Sequence, residues 1–134
     1  MNKEIVVAGK RKTSVAKVRI GKGRGVVLIN SVPYENLEII ERLTIQEPIE
    51  IYKNVIGNMD ADIRVNILGG GKTSQIQAAR LGIAKALVEF SKSADLKKAF
   101  SDYDRALLVA DVRRKEQRKP GDSKARAKRQ KSYR

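Results

Sequence analysis

The chain contains no cysteine, no histidine and no tryptophan. Disulfides, thiolate nucleophiles and most zinc sites are therefore excluded. So are the imidazole general base and the usual charge switch between about pH 5 and 8. Aromatic residues make up only 4% of the chain, so a core must be built from Ile, Leu, Val and Ala. No apolar run approaches the ~18 residues of a membrane-spanning helix. Met1–Lys12 lacks the apolar centre and cleavage site of a secretory signal. These absences predict a cytosolic chain with no membrane, cofactor or small-molecule substrate.

Acid is scarce where base is most abundant. The 134 residues carry a net charge of +14, and +9 of it lies in the 23 residues Val112–Arg134. There Arg113, Arg114, Lys115, Arg118, Lys119, Lys124, Arg126, Lys128, Arg129, Lys131 and Arg134 face only Glu116 and Asp122. One valine, two alanines and Tyr133 are too little apolar surface to offset the entropy of ordering, and the charges repel one another. Such a segment is disordered alone and ordered against a polyanion. The remaining residues, 1–111, suit one small domain with a modest core. The expected organisation is a globular anchor over 1–111 and an extended basic arm over 112–134.

Along the domain, Glu4–Ala8 is a short apolar run and Gly9–Thr13 is polar and basic. Val15–Ile20 alternates, with Ala16, Val18 and Ile20 on one side and Lys17 and Arg19 on the other. This pattern predicts a half-buried strand with a cationic outer face. Gly21–Gly25 reads as a flexible basic turn and Val26–Ile29 as the returning strand of a hairpin. From Lys10 to Arg24 the charge never changes sign: Lys10, Arg11, Lys12, Lys17, Arg19, Lys22 and Arg24 occur without an acid. A solvated edge that blocks strand-to-strand aggregation would also be basic. Such edges usually mix signs, which favours anion binding.

Pro33–Arg42 and Thr44–Lys53 predict two short helices, the second with a Thr44/Glu47 capping box and a stop at Gly57. Glu35, Glu38, Glu41, Glu47 and Glu50 read as a solvated helical face turned away from nucleic acid rather than as catalytic carboxylates. Ala61–Leu68 alternates again, with Ile63, Val65 and Ile67 opposed to Arg64 and Asn66. After Gly69-Gly70-Gly71, Thr73 or Ser74 can cap a helix over about Ser74–Phe90. Ile76, Ala79, Ile83, Leu87 and Phe90 form its core stripe. Ala78 and Gly82 lie on a face that permits close approach. Ser93 can cap a helix over Asp95–Tyr103. The apolar run Ala106–Ala110 predicts a last strand or extended core segment.

A glycine turn between strand and helix, followed by Lys72, Thr73, Ser74 and Gln75, has the geometry of a phosphate-binding loop. Nucleotide hydrolases require G-x-x-x-x-G-K-[ST], and Asn66 stands where the first glycine belongs. The G-x-G of residues 21–23 is not set between a strand and a helix either. The phosphate would be that of RNA, or the glycines serve only the chain reversal.

Gly69-Gly70-Gly71, Ser74-Gln75, Ala78, Gly82 and Ala84-Lys85-Ala86-Leu87 resemble the signature of the ninth small-subunit ribosomal protein family. Gly9–Val18 resembles its first basic motif. Asp104–Asp111 through Gln130–Arg134 resembles the ending of its archaeal and eukaryotic branch. The likeness spans nearly the whole chain. It implies a two-layer α/β (α+β) sandwich, with about four strands, helices on one face and a left-handed β-α-β crossover. It also implies a structural, non-enzymatic role in the small-subunit head, bound to ribosomal RNA and beside neighbouring ribosomal proteins. The arm would run through RNA toward the peptidyl-site transfer RNA, with Lys131, Tyr133 and Arg134 at its end. Bacterial members usually end Ser-Lys-Arg, whereas this chain ends Ser132-Tyr133-Arg134, so Tyr133 either stacks on or hydrogen-bonds to RNA or is an incidental terminal residue. Residues 10–12, 17, 19, 22, 24, 72–75 and the bases from Arg113 to Arg129 are the expected ribosomal RNA contacts. The alternative is a free-standing basic nucleic-acid binder.

Overall fold

A computed structural model describes residues 3–121 and 125–126. Among them, β1 (Ile5–Arg11), β2 (Ser14–Lys22), β3 (Val27–Ile29), β4 (Val32–Pro33) and β5 (Ala61–Leu68) form one mixed sheet in the order β1-β2-β5-β3-β4. The helices are α1 (Ile39–Ile56), α2 (Lys72–Ser91) and α3 (Ala94–Tyr103), with 3-10 turns at Tyr34–Asn36 and Arg105–Leu107. The architecture is an α+β sandwich with five strands where about four were expected; β4 is only two residues long. β3 and β5 run parallel on either side of the α1 crossover, and every other pairing is antiparallel. No helix among the described residues is long and apolar enough to cross a membrane.

The strand alternation sets the two layers. In β2, Ser14, Ala16, Val18 and Ile20 are buried, while Val15, Lys17 and Arg19 are exposed. In β5, Ala61, Ile63, Val65 and Ile67 are buried, while Arg64, Asn66 and Leu68 are exposed. One face of the sheet is therefore covered by helices and the other is open. The core joins Val18, Ile20, Ile63 and Val65 to Ile45 and Ile49 of α1, Ile83 and Leu87 of α2, and Leu96 and Phe100 of α3. Full burial of each such side chain stabilises by about 1.5–3 kcal/mol. Phe90, expected on the α2 stripe, is only partly buried against this cluster.

The expected β2–β3 hairpin does not form, because β5 lies between the two strands. β5 matches β2 along its length, from Val15↔Leu68 to Lys22↔Ala61, whereas β3 offers three residues. The hairpin partner of β2 is β1, through the two-residue turn Lys12-Thr13, with Lys12 left-handed at φ 53°. The glycine-rich stretch 21–25 instead carries the chain past the end of β5. There Asp62 Oδ1 accepts the N–H groups of Arg24, Gly25 and Val26 at 2.8, 3.1 and 3.0 Å. These bonds, Val26 first, hold the Asp62 carboxyl below the usual carboxylate range against its partial desolvation.

Three further expectations are corrected. The two helices proposed over residues 33–53 are a 3-10 turn followed by a single helix, α1, which runs through Thr44. Thr44 Oγ1 donates back to the Ile40 carbonyl at 2.8 Å, so the Thr44/Glu47 spacing is a pair within a helix and not a start. Burial of Ile45, Pro48, Ile49 and Tyr52 on one side holds the helix together across its internal proline. Helix α2 begins at Lys72 on an N-cap of Gly71. Ser74 sits in its first turn, where its Oγ accepts the Gly71 N–H at 3.2 Å. Finally, Ala106–Ala110 is not a strand. Asp104 Oδ1 accepts the Ala106 N–H at 2.9 Å and tightens a 3-10 turn that buries Leu107 alone. The expected Ser93 cap is present, its Oγ accepting the Leu96 N–H at 3.3 Å.

Helix α2 lies against β1 and β2, and the small residues on its inner face set the spacing. A Cβ on Gly82 would come within 2.6 Å of Val18 Cγ2, and one on Gly9 within 2.2 Å of the Ala78 carbonyl oxygen. The second contact is with backbone, which cannot rotate away. Gly9→Ala should therefore destabilise the domain by about 2–3 kcal/mol in urea unfolding of the full chain. A loss below about 0.5 kcal/mol would mean that β1 can move off α2 freely.

Candidate nucleic-acid interface

The open face of the sheet is ordered by register. Val6, Arg19 and Arg64 form one row across β1, β2 and β5. Ala8, Lys17 and Asn66 form the next, and Lys10, Val15 and Leu68 the third. Lys10, Lys17, Arg19 and Arg64 thus share one exposed surface with exposed Val6, Val15 and Leu68. Arg19 and Arg64 stand directly opposite each other. Like charges so placed destabilise a sheet by themselves. Among the described residues neither has an ion-pair partner. An anion between them would remove the repulsion.

The run Lys10–Arg24 is divided by the fold. Arg11 and Lys12 lie at the β1–β2 tip. Lys22 and Arg24 lie at the opposite end of β2, with Lys17 and Arg19 between them on the open face. Lys12, Lys22 and Arg24 are exposed. Arg11 is occupied internally. Its Nε donates to Gln77 Oε1 at 2.9 Å, and its Nη1 lies 2.7 Å from Asp111 Oδ2. The Asp111 contact is an ion pair by distance, without the alignment of a hydrogen bond.

Asp111 holds a second arginine. Arg113 donates Nη2 to Oδ2 at 2.6 Å and its own N–H to Oδ1 at 2.9 Å. The Arg113 hydrogen bonds, with the charge of Arg11 behind them, hold the Asp111 carboxyl well below the usual carboxylate range. The first residues of the arm are thereby fastened beside the hairpin tip. Arg11, Lys12, Thr13, Arg113, Arg114 and Lys115 line one groove. Residues 112–121 are exposed and form neither helix nor strand. Farther along, Arg126 donates Nε and Nη2 to Glu116 at 2.9 and 2.7 Å, a pair within the arm. Arg118 and Lys119 are exposed; Lys124, Lys128, Arg129, Lys131, Tyr133 and Arg134 lie outside the described residues.

The glycine turn is accounted for mainly by packing. Gly69 and Gly70 are left-handed at φ 80° and 68°, and a Cβ on Gly70 would lie 2.0 Å from Ser14 Oγ. Ser14, fully buried, donates to the Gly69 carbonyl at 3.0 Å and meets Ser74 Oγ at 2.8 Å. Gln75 Nε2 donates to the same carbonyl at 3.0 Å. Lys72 pairs with Glu38 and Glu41, and the Glu38 hydrogen bond raises its pKa. Of the four residues expected to hold a phosphate here, only Thr73 is exposed without a side-chain partner among the described residues. The glutamates are partly structural too. Glu47 and Asp104 both accept from the half-buried Arg80, at 2.9 and 3.1 Å, which ties α1 to α2 and to the turn after α3.

Reading the sequence alone missed Arg64 and Asn66 as candidate contacts. Their outward alternation was visible, but their neighbours Arg19 and Lys17 are set by the β2–β5 register. It also missed Asp111, whose signal was its position as the last acid before the arm.

The family model described as ribosomal protein S9/S16 matches residues 9–134. The chain belongs to the ribosomal protein S9/S16 family. Small ribosomal subunit protein uS9 of Picrophilus torridus is 47% identical to it over 135 residues, covering 100% of both chains. The proteins of the same name from Thermoplasma volcanium and Methanococcus vannielii are each 41% identical, covering 97% and 98% of this chain. All three matches extend over 98% or more of the relative, so the S9/S16 likeness includes the arm.

The Asp111 clamp has a defined pH signature. Because its folded pKa lies below the unfolded value near 3.9, the clamp is fully present above that value and is lost as pH falls through the folded pKa. Carboxyl-carbon NMR should therefore show Asp111 titrating below the usual carboxylate range. In Arg113→Ala the midpoint should move up toward the usual range; no movement would mean that Arg113 does not hold it.

Proposed function

We propose that this chain is a structural constituent of the small ribosomal subunit that grips ribosomal RNA with its open sheet face and hairpin end and leads a basic arm to a second RNA. Family membership supports the subunit assignment and a role without catalysis. One observation carries the RNA-binding surface: Arg19 and Arg64 face each other across an open sheet, and neither forms an ion pair among the described residues. Lys10, Lys12 and Lys17 extend this cationic surface to the hairpin tip, and Arg114 and Lys115 continue it into the arm. Lys22 and Arg24 offer further phosphate contacts at the far end. Arg11 and Arg113 contribute through the clamp, setting where the arm begins. Lys72, Ser74 and Gln75 shape the glycine turn, which leaves Thr73 as its remaining candidate contact.

Phosphate contacts by lysine and arginine release counterions from RNA, and arginine forks can also bridge phosphates or stack on bases. Exposed Val6, Val15 and Leu68 offer apolar surface against which riboses and base faces can lie. The arm then continues through RNA. Fully extended, its 23 residues reach ~75 Å at ~3.3 Å each, against a radius of gyration of ~13 Å for the domain. Bases from Arg118 to Arg129 would neutralise ribosomal RNA along this path, where Gly121, Ser123, Ala125 and Ala127 let the backbone approach closely. Lys131, Tyr133 and Arg134 would then contact the peptidyl-site transfer RNA, Tyr133 by stacking or a hydrogen bond. The ribosome of the cytoplasm is the corresponding location.

The full chain should lose affinity for its ribosomal RNA by about a thousandfold between about 50 and about 200 mM salt. Arg64→Ala should weaken binding and lower the salt slope by about one. An unchanged slope would remove the open face from the interface. Deleting Lys131–Arg134 should leave the fold and subunit assembly intact while weakening transfer RNA binding in the peptidyl site. Unchanged transfer RNA affinity in subunits with the shortened arm would reject that contact.

A further inference from the structure

The start of α1 is apolar on the outside. Ile39, Ile40 and Leu43 are 67, 78 and 53% exposed. Positions i, i+1 and i+4 fall within one sector of a helix, so the three side chains form a single patch. They have no role in the core, which α1 reaches through Ile45, Ile49 and Tyr52. Three large aliphatic side chains together in water mark an interaction surface more often than scattered exposed ones do.

The charge around the patch is opposite to that of the rest of the protein. Residues 34–50 carry five glutamates and one arginine, a net charge of −4 in a chain of +14. Glu35 and Glu38 flank the patch and are exposed. Lys72 reaches both Glu38 and Glu41, so one positive charge answers two carboxylates there. Lys53 and Arg80 likewise answer Glu50 and Glu47, so Glu35 is the glutamate of this side without an ion pair among the described residues. An RNA finds little unpaired positive charge here, and nothing aromatic in the patch could stack on a base. A partner that brings apolar side chains and positive charge satisfies both features.

We propose that Ile39, Ile40 and Leu43, with Glu35 and Glu38 at their rim, form a docking surface for a basic protein of the same ribosomal particle. The inference rests on the subunit assignment and identifies which side of the domain meets protein rather than RNA. Apolar contact would supply most of the affinity, and the glutamates would select a cationic partner and fix its orientation.

Because the chain has no cysteine, Ile40→Cys creates a unique thiol that accepts a short photo-cross-linker. Lys17→Cys does the same on the open sheet face. Each full-length variant is assembled into small subunits and irradiated. The label at position 40 should join one ribosomal protein of high net positive charge. Leu43→Cys should mark the same protein, and adding Glu35→Lys should lower the yield by about tenfold. Cross-linking from position 40 to RNA would overturn the proposal. So would no cross-link, or a yield indifferent to Glu35→Lys, in subunits where position 17 joins RNA. Failure at position 17 alone would count against the RNA-facing sheet, while a protein cross-link at position 40 would still support the docking surface.

Discussion

One carboxylate joins the two halves of this protein. Asp111 holds Arg11 from the hairpin and Arg113 from the arm, so the compact domain and its basic extension are fastened at one point. Without that acid, Arg11, Arg113 and Arg114 would be neighbours of like charge, and repulsion would drive the arm away from the tip. With it, the arm begins in a groove shared with Lys12 and Thr13. The clamp is short-range and charge-assisted, and it fixes the root while leaving residues 112–121 exposed.

The sheet imposes the second constraint. β5 enters between β2 and β3, which lines up the basic positions of two separate strands on one open face. The inward side chains of these strands share one core with the helices, and Gly9 of β1 lies close against α2. A slip of one residue would bury Lys17 and Arg19 and expose Ala16 and Val18, so the cationic face and the core are specified together. Cationic and acidic surfaces are also kept apart: the glutamates gather on α1 and its approach, where Lys72 and Arg80 engage some of them. This separation leaves the unpaired bases and the glutamates on different parts of the domain.

Local periodicity made much of this legible in the sequence. Val15–Ile20 and Ala61–Leu68 alternate plainly, and the α2 stripe with its close-approach residues Ala78 and Gly82 follows the helical repeat. Strand pairing was not legible, because nothing local states that residues 61–68 enter beside 14–22 and displace the nearer 27–29. The division of α1 was misread because a Thr and a Glu three apart look the same inside a helix as at its start. Residues 106–110 are apolar without alternation, and the turn made by Asp104 buries Leu107 and leaves Val109 half-exposed. For the proposed interface, charge pointed to Lys17 and Arg19 but not to Arg64, which enters the proposal only through its cross-strand neighbour Arg19. Charge alone also presented Arg11 as free, although an acid a hundred residues later in the chain occupies it.

The central claim is that the arm is held at its root beside the hairpin tip before any RNA is bound. Spin labels at Lys12→Cys and Lys115→Cys in the otherwise cysteine-free chain test it by pulsed dipolar spectroscopy. A narrow distance distribution in the free protein that broadens when Asp111→Ala is added is the predicted result. A distribution already broad with Asp111 in place would contradict the account.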